Sequence, residues 1–386
     1  MNTNEEPILQ EEPRKFSLFP IRYPDVWQCY KQLVSTFWVP EEVDIEADKL
    51  QFETKLSQQE KHYICTILAF FASSDCIVGV NLVNFMDTVK MPEAQCFLGF
   101  QLMQENIHAE VYALMIDRLC DANEHVTLSG RMEGSVFVTD TTLNSDSAAI
   151  TYAANGVKGE AYTVDNGLRL SNAPTIEGSF ELSVTVSRKD HLFQSLTTMP
   201  AIKKKGEWCI QWMDEELPYA ERLVAWAVVE GLLFASSFAS IAYFKNKGLL
   251  PGVGTVNEWI SRDESNHANF ACLLLKNYIQ NRPSVDTVHT IFQEAIAIED
   301  EFVQTSLPCA LVGICCEDMQ TYIRYCANRL LEAMGYPILY PGAKSPWRCI
   351  NLLSVNGMTS FFEKRVADYS KSTLKKCTIN FEATEF

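Results

Sequence analysis

Along most of the chain, apolar residues recur every three or four positions, which is the spacing of one face of an α-helix. A flexible acidic arm is expected over residues 1–20, and a polar tail over residues 370–386. The pattern predicts helices over residues 24–37, 57–86, 92–117, 191–198, 204–213, 217–247, 256–281, 284–307 and 310–334, with a last short helix over 361–369. The chain is therefore predicted to be a mainly helical protein.

One segment breaks this periodicity. From residue 125 to residue 187 the sequence is rich in Ser, Thr, Val and Gly, and apolar residues alternate with polar ones. Turn signals at Asn155-Gly156 and Asp165-Asn166-Gly167 favour tight hairpins. Six strands are predicted, over 125–129, 135–139, 149–152, 161–164, 168–170 and 180–186. We interpret the segment as a β-rich insert of about sixty residues, a size at which an independent core is marginal, so it is expected to rest on its helical host.

Composition limits the functional classes. Of 386 residues, 47% are hydrophobic and 21% charged, which is typical of a soluble globular protein. The net charge of −17 argues against a nucleic-acid partner. Thirteen cysteines without a Cys-x-x-Cys pair favour a reducing compartment. The apolar run 231–244 is shorter than a membrane span, so it is predicted to be a buried helix of a cytoplasmic protein without a membrane contact.

Two Glu-x-x-His units carry the candidate chemistry. Glu105 and His108 lie one turn apart on a predicted helix with Tyr112 a further turn along, and Glu264 and His267 repeat the spacing far downstream. A single unit of this kind is more often an ordinary helix surface. Two units on separate apolar helices are typical of a two-metal site inside a helical bundle.

Two further carboxylates stand alone in apolar helices, Asp75 and Glu230. Such groups are rarely buried without a partner. Adding them gives each half of the site two carboxylates and one imidazole. The predicted ligands are Asp75, Glu105, His108, Glu230, Glu264 and His267. Oxygen ligands with one nitrogen per metal suit iron or manganese better than zinc or copper, but do not separate the first two.

Longer stretches around these residues carry a family resemblance. They are Phe37-Trp-Val-Pro-Glu-Glu-Val-Asp44, Gln104-Glu-Asn-Ile-His-Ala-Glu-Val-Tyr112, Ile260-Ser-Arg-Asp-Glu264 and Phe361-Phe-Glu-Lys-Arg-Val-Ala-Asp-Tyr369. Over residues 20–124 and 188–386 the chain resembles the small, radical-generating subunit of class I ribonucleotide reductases of the eukaryotic or large-virus type. The resemblance implies an all-α, ferritin-like bundle (residues 21–124 and 188–369) carrying the β-rich insert 125–187, a homodimer, and two iron ions per chain, with manganese possible.

The resemblance also implies roles for single residues. In this family a di-iron centre and O₂ oxidise a tyrosine to a stable radical, and Tyr112 matches that tyrosine. Phe234, Phe238 and Ile260 match the apolar wall of the radical pocket. The radical then passes to the large subunit, where ribonucleotides are reduced for DNA synthesis. The matching path is His108, Asp263, Trp38 and Tyr369, and the tail 370–386 matches the peptide that docks on the large subunit. Without the resemblance, Tyr112 and Trp38 would be taken for packed core residues.

Two other functions fit a buried di-metal site. One is a di-metal oxidase that completes its own two-electron chemistry, and the other is a ferritin-like iron-binding protein. Tyr112, Trp38 and the tail disfavour both, because neither needs to export a radical. For the insert we weigh a tolerated ornament against a contact for self-assembly or for another protein.

Overall fold

The computed structural model describes residues 6–11, 17–120, 123–139, 150–154, 157–164, 167–172, 179–187, 192–193, 195–306 and 314–347. The predicted helix 361–369 with Tyr369, and the tail 370–386, lie outside the described residues. The statements below concern the described part of the chain.

Helices form most of the described structure. They are α1 (Pro24–Ser35), α2 (Glu46–Lys55), α3 (Gln58–Thr88), α4 (Pro92–Leu119), α5 (Ser195–Thr198), α6 (Pro200–Gln211), α7 (Tyr219–Val228), α8 (Ala235–Asn246), α9 (Pro251–Asn277), α10 (Val285–Ser306) and α11 (Cys316–Met334). A π-helical turn, Val229–Leu233, joins α7 to α8, and 3₁₀ turns lie at Pro7–Leu9 and Pro40–Glu42.

Local sequence explains where the two longest helices of the bundle begin. Ser57 and Glu60 form a capping box at the start of α3: the Ser57 backbone N–H donates to Glu60 Oε2 at 2.8 Å, and the Glu60 backbone N–H donates to Ser57 Oγ at 3.2 Å. Pro92 occupies the first turn of α4, where its missing N–H costs nothing. Both starts agree with the sequence pattern.

Two features depart from the sequence prediction. The sequence pattern does not predict helix α2, because this segment is mostly polar and contacts with other parts of the fold stabilise it. Its buried Asp48 carboxylate accepts hydrogen bonds from the backbone N–H groups of Gly252 (3.1 Å) and Val253 (2.6 Å), at the beginning of α9. The second is the single helix predicted over 217–247, which the π-helical turn divides into α7 and α8. The apolar spacing continues through the π-helical turn, so the sequence pattern does not predict the turn.

Two helical stretches are long and apolar enough to cross a membrane, Gln58–Thr88 and Tyr219–Asn246. In each of them the most apolar window is largely inside the protein, 78% and 100% buried respectively. These stretches are core helices of the bundle, as predicted for the run 231–244.

The β-rich segment forms a closed six-stranded barrel. Its strands are β1 (Asn123–Glu133), β2 (Val136–Thr139), β3 (Ile150–Ala154), β4 (Val157–Val164), β5 (Gly167–Leu170) and β6 (Ser179–Ser187), and their order around the barrel is β1-β2-β5-β4-β3-β6. All pairs are antiparallel. The six predicted strands are present, and the pairs Ala154–Val157 and Val164–Gly167 close the two predicted hairpins.

The barrel has an apolar core separate from that of the helices. Its buried residues are Phe137, Ile150, Tyr152, Ala154, Ala161, Leu168, Leu170, Leu182 and Val184. Closure pairs every strand on both sides and encloses these side chains. The barrel thus buries apolar surface of its own, apart from the helical core.

Candidate metal centre

Four helical elements bring the six predicted ligands together. Helix α3 supplies one residue, α4 two, the π-helical turn one and α9 two, and each side chain is at most 3% exposed. They form two groups in which one ligand atom of every member lies within 4.8 Å of the others. The groups are Glu105, Glu230, Glu264 and His267, and Asp75, Glu105 and His108.

Two carboxylates lie between the two imidazoles. Glu105 places Oε1 3.1 Å from Nδ1 of His267 and Oε2 3.4 Å from Nδ1 of His108. Glu264 places Oε2 3.0 Å from Nδ1 of His267 and Oε1 3.0 Å from Nδ1 of His108. Each carboxylate therefore offers one oxygen to either side of the site, which is the arrangement of a bridging ligand.

The remaining two carboxylates belong to different groups, Asp75 to that of His108 and Glu230 to that of His267. Among the described residues, Asp75 Oδ2 and Glu230 Oε2 have no hydrogen-bond partner, although both side chains are buried. Burial and neighbouring carboxylates raise the pKa of Asp75 and of Glu230 well above their ordinary values. A cation would satisfy both oxygens and favour the charged forms. The residues present therefore fit two metal ions bound by oxygen and nitrogen ligands.

Neighbouring groups of opposite charge shift the pKa values of His267 and Glu264. Burial alone lowers the pKa of His267, but Glu264 and Glu105 outweigh it and raise the pKa to about 9. Burial likewise raises the pKa of Glu264, and the two histidines outweigh it, so that the pKa falls below its ordinary value. The site thus holds its Glu-x-x-His units together by charge as well as by packing.

Side chains behind the ligands fix the two histidine rings. His108 Nε2 lies 3.5 Å from Asp263 Oδ2, which also accepts a hydrogen bond from Trp38 Nε1 at 2.8 Å. The Trp38 ring stacks over His108 with a 6.0 Å centroid separation and a 17° angle between planes. His267 Nε2 lies 3.2 Å from Gln104 Oε1. Partners of this kind set the orientation and tautomer of ligand histidines.

Asp263 is charged in this environment. Burial by itself raises its pKa, but the contact with His108 and the charge of Arg262 outweigh burial and lower the pKa. Arg262 donates to Asp263 Oδ1 from Nη2 at 3.0 Å and to the Thr36 carbonyl at 2.9 Å. Trp38, Asp263 and His108 therefore form a continuous set of contacts beside the metal ligands.

Tyr112 lies in an aromatic pocket. Its side chain is 3% exposed, and its hydroxyl has no hydrogen-bond partner among the described residues. The ring stacks on Phe71 at 4.6 Å and 7°. Phe71 in turn contacts Phe238 at 4.9 Å and Phe234 at 6.0 Å, which places these two predicted wall residues beside the ring that stacks on Tyr112. Ile260, the third predicted wall residue, is buried in the helical core.

Four residues that contact the site are not predicted from the sequence: Phe71, Gln104, and the two hydrogen-bond donors to Glu230, Gln101 and Trp226. Gln101 and Gln104 precede Glu105 and His108 by one helical turn, a spacing that places them on the same face of α4. This spacing could have identified the two glutamines as site residues from the sequence. Phe71 and Trp226 have no signal beyond being aromatic residues in apolar helices.

The family is decided by comparison with known proteins. The family model for the small chain of ribonucleotide reductase matches residues 15–138 and 180–346. The chain belongs to this family. Its activity is that of a ribonucleoside-diphosphate reductase, the reduction of ribonucleotides to deoxyribonucleotides, which favours the first of the three functions considered from the sequence. The family model does not match residues 139–179, which contain β3, β4 and β5. Strand β1 and most of β6 fall inside the matched ranges.

Relatives from distant organisms resemble nearly the whole chain. The small chain of Neurospora crassa ribonucleoside-diphosphate reductase is 38% identical over 98% of this chain and 77% of the relative. Subunit M2 of Danio rerio is 38% identical over 95% of this chain and 78% of its own length. The small chain of Variola virus is 38% identical over 95% of this chain and 94% of the viral protein.

Solved structures confirm the predicted ferritin-like bundle of this family. The ribonucleotide reductase Rnr4 homodimer of Saccharomyces cerevisiae superposes with a TM-score of 0.67 at 28% identity, covering 89% of this chain and 88% of the yeast chain. The R2 subunit of Clostridium botulinum ribonucleotide reductase gives a TM-score of 0.61 at 18% identity, covering 84% and 85%.

Proposed function

We propose that the six clustered carboxylates and histidines bind two iron ions, with manganese as the alternative, and that Tyr112 is the residue oxidised to a stable radical. The observation that carries this proposal is the position of Glu105 and Glu264, each with one oxygen beside either histidine. When bound, two iron ions and O₂ supply the oxidising power that removes an electron from Tyr112.

The pocket of Tyr112 suits a long-lived radical. Burial and the nearby carboxylates raise the pKa of Tyr112 well above its ordinary value, so the resting side chain is a neutral phenol. Phe71 covers one face of the ring at 4.6 Å, and Phe234 and Phe238 pack against Phe71. Apolar rings in this position keep water and reductants from Tyr112. Ile260 is proposed to belong to the same wall.

We propose that Trp38, Asp263 and His108 carry the radical away from the site. The contacts Trp38 Nε1 to Asp263 Oδ2 (2.8 Å) and Asp263 Oδ2 to His108 Nε2 (3.5 Å) support this path, since an electron and a proton need a short continuous route. Tyr369 is proposed as the next carrier and the tail 370–386 as the peptide that docks on the large subunit. Both lie outside the described residues.

We propose a homodimer formed through the outer faces of α3 and α4. These faces expose large apolar side chains at Val80 (61%), Val83 (53%), Met103 (37%) and Leu114 (37%). Exposed apolar groups on adjacent helices are typical of a covered interface. The yeast neighbour described above is itself a homodimer.

The proposed organisation keeps the sequence division. Residues 1–20 are an arm, 21–124 and 188–369 the catalytic bundle, 125–187 the barrel and 370–386 the docking tail. The bundle is proposed to act in the cytoplasm, with neither nucleic acid nor membrane as a partner. The separate core of the barrel supports treating it as a unit that the bundle carries.

Low-temperature electron paramagnetic resonance (EPR) tests the central proposal. The apoprotein is loaded anaerobically with Fe(II) and exposed to O₂, and iron is measured on the same sample. A tyrosyl signal at about two irons per chain supports the ligand set and Tyr112 together. Two irons without a radical reject Tyr112 as the oxidised residue under iron loading. Absence of bound metal rejects the ligand set.

A further inference from the structure

A pair of N–H donors holds one oxygen of the Glu230 carboxylate. Glu230 Oε1 accepts hydrogen bonds from Trp226 Nε1 at 2.6 Å and from Gln101 Nε2 at 2.8 Å. The other oxygen, Oε2, has no hydrogen-bond partner among the described residues and lies 4.0 Å from His267 Nδ1. All these side chains are at most 2% exposed. The two oxygens of Glu230 therefore have different surroundings.

We propose that Trp226 is a positioning residue that, with Gln101, fixes Glu230 so that only Oε2 is available to a metal ion. Trp226 belongs to neither group of clustered carboxylates and histidines, and it would act through Glu230. The proposal rests on the proposed function, since it assumes that Glu230 is a ligand. A hydrogen-bonded carboxylate oxygen is a weaker ligand than a free one, so two donors on Oε1 favour coordination through Oε2 alone.

The backbone around Glu230 explains how the donor and acceptor meet. Trp226 belongs to the regular helix α7, which ends at Val228, whereas Glu230 belongs to the π-helical turn that follows. Single π turns are frequent at functional sites. Trp226 and Glu230 are four positions apart, a spacing that places side chains on one helix face, so the 2.6 Å contact joins the end of α7 to the turn.

Packing restricts the direction of the Trp226 indole. Phe85 of α3 lies against it with a 4.9 Å centroid separation, and Phe85 also contacts Tyr219, seven residues before Trp226 on α7. A buried indole N–H needs an acceptor, and a phenylalanine at this position would fill the space without needing one. The acceptor that Trp226 uses is the carboxylate of a proposed ligand.

The test compares two matched substitutions, Trp226→Phe and Trp208→Phe. Trp208 on α6 also donates its indole N–H to a carboxylate, Glu294 at 3.3 Å, but outside the candidate metal centre. Both variants therefore lose an aromatic donor to a glutamate. Mn(II) is titrated into each full-length apoprotein, and free and bound Mn(II) are measured by EPR, which also reports the signal of the coupled pair.

We expect the wild type and Trp208→Phe to bind two Mn(II) ions alike. Trp226→Phe should keep the affinity of one ion and lose about 10–100-fold at the other, with a changed signal of the coupled pair. Equal binding curves and equal signals for all three proteins would overturn the proposal, as would equal weakening in both variants. A wild type that binds no pair of ions would instead reject the proposed function.

Gln101→Met provides a second measurement that does not alter the aromatic packing. It removes the other donor to Glu230 Oε1 (2.8 Å), together with a longer contact to Glu105 Oε1 (3.4 Å), while keeping a side chain of similar length. We expect weakening at the same ion as in Trp226→Phe. If Trp226→Phe fails to fold, as judged by circular dichroism, Gln101→Met serves as the test. An unchanged Mn(II) titration of Gln101→Met would then reject the proposal that the two donors position Glu230.

Discussion

Tyr112 and Phe71 lie face to face, with ring centroids 4.6 Å apart and planes 7° from parallel. The two residues come from different helices, α4 and α3, and Phe71 lies one turn before Asp75 on its helix. The same short segment of α3 thus provides a candidate metal ligand, Asp75, and the ring that covers Tyr112, the candidate radical residue. This relationship ties the chemistry of the site to the packing of one helix pair.

Tyr112→Phe is expected to bind two metal ions and consume O₂ but to form no stable tyrosyl radical, because only the phenol hydroxyl is removed. EPR and oxygen uptake on the iron-loaded variant measure this. Tyr63→Phe is the matched control, since Tyr63 is a buried tyrosine of α3 whose hydroxyl bonds to Ser240. A normal tyrosyl signal in Tyr112→Phe would show that another tyrosine is oxidised.

Phe71→Leu is expected to shorten the lifetime of the radical several-fold while leaving metal binding intact, because it removes the ring that covers Tyr112. The decay of the EPR signal at room temperature measures the lifetime. Phe244→Leu makes the same change at a fully buried position of α8 and controls for general loss of stability. Equal decay in the two variants would argue that Phe71 has no protective role.

A buried ion pair next to the π-helical turn should stabilise the fold only as a pair. Lys205 Nζ lies 2.5 Å from Glu299 Oε2 and donates to the Leu233 carbonyl, the last residue of the turn, at 2.9 Å. Glu299→Gln leaves a buried ammonium without its anion and should lower the free energy of unfolding by about 3–5 kcal/mol. Adding Lys205→Met should recover much of the loss. Urea denaturation of the single and double variants measures both effects.

The same pair predicts a pH dependence. Burial lowers the pKa of Lys205 below its ordinary value of 10.5, although Glu299 opposes the shift. At alkaline pH below 10.5 the unfolded chain therefore binds more protons at Lys205 than the folded chain does, and this lysine makes the free energy of unfolding rise with pH. Relative to the Lys205→Met, Glu299→Gln double variant, wild-type stability should increase between the two pKa values. A constant difference across that range would contradict the sign.

Replacing residues 123–187 with a short Gly-Ser linker is expected to leave metal binding and the radical intact. Asn123 and Ser187 are partners in the β1–β6 pair, so the barrel leaves and returns at neighbouring points. The excised segment 123–187 should fold alone, because its core uses none of the helical core residues. Circular dichroism of the fragment and EPR of the shortened chain test the two halves. Loss of metal binding would indicate that the barrel supports the bundle.

Deleting residues 376–386 is expected to leave the radical intact and abolish association with the large subunit. The segment Asn380-Phe-Glu-Ala-Thr-Glu-Phe386 combines acidic residues with two aromatic side chains that could serve as anchors for docking. Sedimentation of mixed subunits and reductase activity are the measurements, with a scrambled tail of the same composition as control. Unchanged reductase activity would reject the docking role.

The sequence by itself determined the features that depend on local spacing. Glu105 and His108, or Glu264 and His267, share a helix face because three residues make nearly one turn, and alternation with Asn-Gly turns identified the strands. The start of α4 at Pro92 has the same local origin. The comparisons confirm the predicted family and bundle, and the ligand roles stay predictions.

Only the tertiary structure decided how distant segments meet. The contact of Gln101 with Glu230 joins α4 to the π-helical turn, across 129 residues. Phe71 reaches Tyr112 because α3 packs on α4, and α2 is held by Asp48 at the beginning of α9. The barrel likewise gains its core by closing β1 onto β6, whose paired residues run from Arg131–Ser179 to Asn123–Ser187. Such contacts form between residues far apart in sequence, so the local spacing of apolar and polar residues does not predict them.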